Sequence, residues 1–168
     1  MRQAGFTLIE LLVALTVIGI LAGVGVPAFG EMIAAQRRFD AAQQLASGIR
    51  AARVEAIMRN KFVVIRAING NWSKGWQIVV DPKNTEDDLI LVDKARQPTV
   101  TIIGNRPVRR HIRFDGLGAP VANGFQAGSI FICDPKEAGR HLRVVLGKTG
   151  RVAIENAEQD EPFCRSRA

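Results

Sequence analysis

Near its start the chain reads Gly5-Phe6-Thr7-Leu8-Ile9-Glu10, and from there an apolar run continues to Phe29. Glu10 is the only formally charged side chain between Phe6 and Phe29. As a helix, the run is long enough to span a bilayer core of about 30 Å. A carboxylate in hydrocarbon is costly, so it needs a partner or a function. The stretch therefore predicts a membrane-embedded helix with one functional acid near its beginning.

Three interpretations of this N-terminal stretch compete. A secretory signal peptide has a basic start, an apolar core and a small-residue cleavage site, which Val26-Pro27-Ala28 fits loosely. Glu10 interrupts such a core, and the helical pattern continues past residue 28. A plain single-span anchor leaves Glu10 unexplained.

The third interpretation rests on a resemblance, because the first ten residues are similar to the type III signal of type IV prepilins. This resemblance implies cleavage after Gly5, N-methylation of Phe6, and pairing of Glu10 with the amino terminus of a neighbouring subunit. It accounts for both the acid and the continuity of the helix. Pro27 lacks a backbone donor, so we expect a helix kink there.

The prepilin resemblance implies the type IV pilin fold, an α+β architecture in which a long N-terminal helix packs on an antiparallel β-sheet domain. We expect a leader at 1–5, a hydrophobic transmembrane and polymerisation helix at 6–30, and a periplasmic globular domain over 31–168. In that domain an amphipathic helix occupies 31–59, and β-sheets occupy 61–168. The helix has apolar residues at steps of three and four: Phe39, Ala42, Leu45, Ile49, Ala52 and Ala56.

Short β-like runs separated by turn residues follow Asn60, which favours antiparallel sheets. Asn69-Gly70-Asn71 is a turn signal. We expect strands at 62–68, 76–81, 89–92, 100–103, 111–114, 129–133, 142–146 and 152–154. Their order in the sheets does not follow from the sequence.

A second resemblance covers nearly the whole chain, because several short motifs follow one another in the order typical of the GspH/FimT/FimU group. These motifs are residues 45–57, Trp72-Ser73-Lys74-Gly75-Trp76, Val79-Val80-Asp81, Phe114-Asp115-Gly116-Leu117-Gly118, Phe131-Ile132-Cys133 and Gly150-Arg151-Val152. The resemblance implies a FimU-like minor pilin that helps to prime a type IV pilus at or near its tip, in twitching motility and adhesion. A FimT-like DNA-binding pilin for natural transformation and a GspH-like minor pseudopilin of type II secretion are the alternatives.

The same resemblances imply partners and a location. The partners are other minor and major pilins and the prepilin peptidase/methyltransferase. The chain would first lie in the inner membrane as a single-pass protein with a periplasmic C-terminal domain, and later in the pilus at the cell surface. Cys133 and Cys164 are the only cysteines. The oxidising periplasm favours a disulfide between them, and two buried free thiols are the alternative.

The sequence offers little for catalysis. The two histidines, His111 and His141, lack ligand-like companions, and no serine stands in a Gly-x-Ser-x-Gly motif. No phosphate-binding glycine loop is present. We therefore expect no enzyme, no catalytic residue, no metal site and no cofactor.

The formal net charge is +7, and four arginines cluster within the segment 106–113. Converging arginines could hold a phosphate backbone. FimT-like pilins carry a Gly-Arg-x-Arg motif that contacts DNA, but here Gly150-Arg151-Val152-Ala153 lacks the second arginine. If DNA is a partner, the expected contacts are Arg109, Arg110 and Arg151.

Overall fold

The first element is one long helix. The computed structural model describes residues 7–80, 88–95, 100–122, 124–133, 141–157 and 162–165, without the side chains of 24–28, 122, 125 and 165. Helix α1 runs from Leu8 to Arg59. It ends because Asn60 adopts a left-handed conformation (φ 48°) and the N–H groups of Asn60 and Lys61 donate to the carbonyls of Ile57 and Ala56. This is a Schellman motif, and asparagine tolerates its left-handed position.

The chain forms two compact units, Met1–Gln36 and Arg37–Ala168. In the first unit α1 exposes its apolar side chains. Among the described residues no helix is both long and apolar enough to cross a membrane. The role of residues 6–30 as a membrane span stays a prediction.

The described residues of the second unit form the end of α1 and ten strands, followed by a short helix α2 at Pro162–Arg165. The strands are β1 (Val63–Ala67), β2 (Gly75–Val80), β3 (Leu89–Ala95), β4 (Thr101–Gly104), β5 (His111–Phe114), β6 (Val121–Ala122), β7 (Gly124–Phe125), β8 (Gly128–Cys133), β9 (Leu142–Leu146) and β10 (Val152–Asn156). All eight strands expected from the sequence are present, with ends that shift by up to three residues. The pair β6–β7 and helix α2 were missed.

The described strands form two four-stranded antiparallel sheets and the two-stranded antiparallel pair β6–β7. The first has the order β3-β2-β1-β5, and the second has the order β10-β9-β8-β4. The turn signal at Asn69-Gly70 is confirmed, because both residues have positive φ. Asn71 then caps a 3₁₀ turn at Trp72–Lys74 before β2 begins. The antiparallel fold predicted from the short strands is confirmed.

One hydrophobic core joins the helix to both sheets. On α1 the buried stripe consists of Ala41, Ala42, Leu45, Ala46, Ile49, Ala52 and Ala56. Phe39, which the periodicity placed on this stripe, is instead 46% exposed, whereas its neighbour Arg38 is buried. Alanines dominate the stripe because they let the helix approach the sheets closely.

Candidate functional site

Glu10 lies in the first turn of α1 and is exposed. Its carboxylate accepts from the backbone N–H and the hydroxyl of Thr7, at 3.5 Å each. In return, the Thr7 hydroxyl oxygen accepts from the N–H of Glu10 at 3.4 Å. This reciprocal arrangement is a capping box, which satisfies donors that a helix start leaves unpaired. The contacts are long for hydrogen bonds, so they leave the carboxylate available to a stronger donor such as an amine.

The helix surface around Glu10 is strongly apolar. Each of the following side chains is at least half exposed: Leu8, Ile9, Leu11, Leu12, Val13, Leu15, Val17, Ile18, Ile20 and Leu21. Gly19 and Gly23 face open space, with nothing within 4 Å of the position a Cβ would take. Exposed apolar patches of this kind mark membrane or protein contacts, and small residues four apart let another helix approach closely.

Three of the predicted N-terminal site residues lie wholly or partly outside the described part of the chain. Gly5 and Phe6, the predicted cleavage and methylation residues, lie outside the described residues. Pro27 lies within α1, but its side chain also falls outside the description. Cleavage, methylation and the kink stay predictions.

The disulfide between Cys133 and Cys164 is confirmed, with a Cα–Cα distance of 5.4 Å. It joins the end of β8 to helix α2. Next to it the ring of Phe163 stacks on Phe131, with centroids 5.2 Å apart and planes inclined by 10°. Phe131 and Cys133 lie two residues apart on β8 and thus on the same face, so two contacts on this face hold α2.

The arginine-rich segment 106–113 is held by its backbone. Gln126 is buried, and its Nε2 donates to the carbonyl oxygens of Pro107 (2.6 Å) and His111 (2.8 Å). Its Oε1 accepts from the N–H of Arg113 at 2.9 Å. Trp72 is also buried, and its Nε1 donates to the carbonyl of Val108 at 3.1 Å. Four hydrogen bonds therefore fix the positions from which the arginine side chains extend.

Two neighbouring clefts border this segment and share Gly70 and Arg110 in their linings. The first, of about 610 Å³, also contains Arg66, His111 and Arg113. The second, of about 440 Å³, also contains Arg106, Arg109 and Phe163. The arginines that cluster in the segment 106–113 therefore belong to one continuous basic surface.

The arginines of the two clefts differ in their partners. Arg66 pairs with Asp88 at 3.1 Å, and the guanidinium of Arg113 lies 4.0 Å from the ring centroid of Phe62. Within the described ranges, Arg106, Arg109 and Arg110 form no ion pair and no side-chain hydrogen bond. Among the described residues, the arginines of the second cleft therefore have no charged partner.

Arg151 lies elsewhere, between β9 and β10. Its carbonyl accepts from the N–H of Gly147, and α1 contacts the residues on either side of it. Arg53 donates to the carbonyl of Gly150 at 3.2 Å, and Arg50 donates to that of Val152 at 3.1 Å. Neither cleft includes Arg151. Of the three expected DNA contacts, the structure brings together Arg109 and Arg110 only, and DNA contact itself stays untested.

No group of three or more histidine, cysteine, aspartate and glutamate side chains in the described part of the chain could hold a metal ion. His111 lines the first cleft, and His141 is buried. The expected absence of a cofactor stays a prediction.

Two models of known protein families match parts of this chain. The family model described as Type II transport protein GspH matches residues 41–150, about two thirds of the chain. The chain belongs to the GspH family. A second family model, the prokaryotic N-terminal methylation motif, matches residues 1–26.

Solved structures with this fold include two crystal forms of the type IV minor pilin FimU from Pseudomonas aeruginosa. The form in space group P21 is 24% identical, covers 79% of this chain and 95% of the FimU chain, and has a TM-score of 0.59. The form in space group P65 is 23% identical, covers 69% of this chain and 90% of the FimU chain, and has a TM-score of 0.58. The likeness confirms the type IV pilin fold. No curated protein sequence matches significantly.

Family and fold together establish a minor pilin or pseudopilin of the GspH/FimU type. Such pilins are structural subunits rather than enzymes. The methylation motif implies processing by a prepilin peptidase and contact with other pilins. It also indicates a membrane-anchored form that is later assembled.

Two residues that shape this basic surface were missed by sequence reasoning. Gln126 lies in a Gly/Ala-rich stretch that has no pattern pointing to a buried amide. Phe163 is a single aromatic near the C-terminus, and the disulfide at the adjacent Cys164 together with the stack on Phe131 places it beside the arginines. The cysteine pair was the one sequence signal that could have linked Phe163 to β8.

Proposed function

We propose that this chain is a minor pilin of a type IV pilus, which helps to prime assembly and lies at or near the tip. Cleavage after Gly5 frees the amino group of Phe6, which is then methylated. In the fibre, Glu10 pairs with the amino terminus of an adjacent pilin. Twitching motility and adhesion depend on the resulting fibre.

The observation that carries this proposal is a single exposed carboxylate on an exposed apolar helix. Glu10 has only long contacts to Thr7, and apolar side chains surround it on the helix surface. In a bundle of such helices the acid leaves water, so a charged partner becomes necessary. Gly19 and Gly23 support close packing because no atom occupies the space beside them. The solved structures that share the fold are described as a type IV minor pilin.

The test is Glu10→Ala, introduced on the chromosome of the native host. Removing one partner of a desolvated charge pair costs about 3 kcal/mol or more, and about 1.4 kcal/mol is a factor of ten in an equilibrium. We therefore expect surface pili and twitching distance to fall at least about tenfold. Glu31→Ala, which removes an exposed acid just beyond the apolar run, is the matched control and should leave both unchanged.

The same strains distinguish a pilus from a type II secretion system. Secretion of exoproteins should stay normal in the Glu10→Ala strain. The mass spectrum of the variant pilin should still show a mature chain that begins with methylated Phe6. Normal piliation with defective secretion would instead assign the chain to a pseudopilus. Normal piliation and normal secretion would remove the proposed role of Glu10.

A further inference from the structure

One edge of the first sheet is open to solvent. Strand β3 is its outermost strand, and within the described ranges no other strand pairs with the outer side of β3. Six of its seven residues are exposed, among them Leu89 (54%), Ile90 (44%) and Val92 (40%). The strand contains no proline, so each residue keeps its backbone N–H group. An exposed apolar edge of this kind is a template for pairing with another strand.

A groove of about 440 Å³ lies beside this edge, between β3 and helix α1. Gln44, Ser47 and Ala51 line it on the helix side, and Val92 and Lys94 line it on the strand side. Buried side chains of β2 also line it. Because successive side chains of a strand point to opposite faces, a strand added to β3 would place every second side chain over this groove.

We propose that this α1–β3 groove binds an extended segment of another pilin subunit, which adds a strand to the first sheet. The inference rests on the proposed function only in that it requires another pilin beside this chain. A strand edge presents N–H and C=O groups at a regular spacing, and an extended backbone is the ligand that matches both. In domains that bind peptides in this way, main-chain hydrogen bonds provide affinity and pockets for alternate side chains provide specificity.

Lys94 defines the charge of the partner segment. Its Nζ lies 5.9 Å from the centroid of the Trp76 ring, and it forms no ion pair in the described part of the chain. Since Lys94 lines the groove, a side chain of the added strand that enters the groove lies beside this amino group. Asp93 points to the opposite face, where Gln77 donates to it at 3.0 Å. The partner segment is therefore expected to place an acidic residue next to Lys94.

The same geometry argues against a second copy of this chain as the partner. In an antiparallel pair of strands, residues that lie opposite each other point to the same face of the sheet. Asp93 is the only acid of β3, and it points away from the face of Lys94. Two antiparallel copies of β3 therefore cannot place the acid of one copy beside Lys94 of the other, whereas a different pilin can supply the acid.

The test is photo-cross-linking in the native host. The site variant, Gln44→p-benzoylphenylalanine, places the reactive group at an exposed helix position in the groove, and Thr149→p-benzoylphenylalanine is the matched control at an exposed position outside it. We expect only the site variant to form a covalent adduct with another pilin. Mass spectrometry should locate the link in an extended segment that contains an acidic residue. No adduct, equal adducts from both positions, or an adduct with a second copy of this chain would each overturn the proposal.

The charge of the groove is tested in the same strain. Lys94→Glu brings like charges together, so we expect the yield of the adduct to fall at least about tenfold. Replacing the cross-linked acid of the partner by lysine should restore the yield. Lys94→Arg and the exposed control Lys148→Glu should keep it, and thermal unfolding of each purified chain checks the fold. A yield that Lys94→Glu leaves unchanged, or that the lysine in the partner does not restore, would contradict the proposal.

The two proposals fail separately. Normal piliation of the Glu10→Ala strain, together with a persistent adduct from position 44, would count against the proposed function alone. Lost piliation in that strain, without any adduct from position 44 in the chain that keeps Glu10, would count against the α1–β3 groove alone.

Discussion

At the scale of single residues, Gln126 decides where the arginines stand. Its side chain satisfies two carbonyl groups and one N–H group of the segment 107–113 inside the protein. A buried amide is costly unless it is hydrogen-bonded, and three partners remove that cost. Hydrophobic periodicity does not identify Gln126 as a buried residue, because its side chain is polar and acts through hydrogen bonds.

Gln126→Leu should therefore destabilise the domain strongly. The leucine fills similar space but leaves three backbone groups without their partner, and each buried unsatisfied group costs about 1–3 kcal/mol. We expect the free energy of unfolding to fall by about 3 kcal/mol or more, measured by urea denaturation of a chain that begins at Glu31. Gln43→Leu, at an exposed position of α1, should change it by less than about 0.5 kcal/mol. A similar small change for both variants would show that the three bonds contribute little.

At the scale of elements, α1 and β2 approach closely at one glycine. A Cβ on Gly48 would lie 2.6 Å from Nε1 of Trp76 and 3.3 Å from Cδ1 of Ile65. Trp76 is buried, so its rigid indole could make room only by shifting against its packed neighbours. The glycine thus sets the distance between the helix and the first sheet.

Gly48→Ala should lower stability, contrary to the usual effect of this substitution. In a helix interior, alanine is favoured over glycine by about 1 kcal/mol, but overpacking a core costs about 1–3 kcal/mol. We expect a net loss of about 1 kcal/mol in the free energy of unfolding, which the same denaturation experiment measures. Ser47→Ala, at the exposed neighbouring position, is the control and should stabilise slightly. A gain in stability for Gly48→Ala would contradict the close contact.

At the scale of the whole molecule, the hydrophobic core and the surface proposed for assembly belong to different parts of the chain. The hydrophobic core contains residues of α1 from Ala41 onward and residues of both sheets, and none of the described residues of the first unit. The first unit instead exposes its apolar side chains. We therefore expect the domain to fold without residues 1–30.

A chain that begins at Glu31 should unfold in one cooperative transition with the same midpoint as the domain in the full chain. One shared core couples the helix to both sheets, so the domain cannot unfold in parts. In the same detergent, we expect midpoints of thermal unfolding within about 2 °C of each other, which corresponds to a fraction of a kcal/mol. Circular dichroism measures both chains. A second transition, or a clearly lower midpoint after truncation, would show that residues 1–30 stabilise the domain.

The sequence by itself determined the elements that depend on neighbours along the chain. The helix from Leu8 to Arg59 and the eight main strands followed from local periodicity and turn residues, such as Asn69-Gly70. The cysteine pair was also predictable, because only two cysteines exist. Phe39 was placed wrongly because helical spacing alone does not define how wide the buried stripe is.

Only the tertiary structure decided the strand order, the clamp at Gln126, the separation of Arg151 from Arg109 and Arg110, and the position of Phe163 beside the arginines. Each of these depends on contacts between residues far apart in the chain. The local sequence pattern does not specify which distant residues pair with each other. Glu10 lies between the two cases. The sequence indicated that this acid needs a partner, and the structure placed it exposed beside Thr7, where the proposed contact with the amine of another subunit would replace the long local ones.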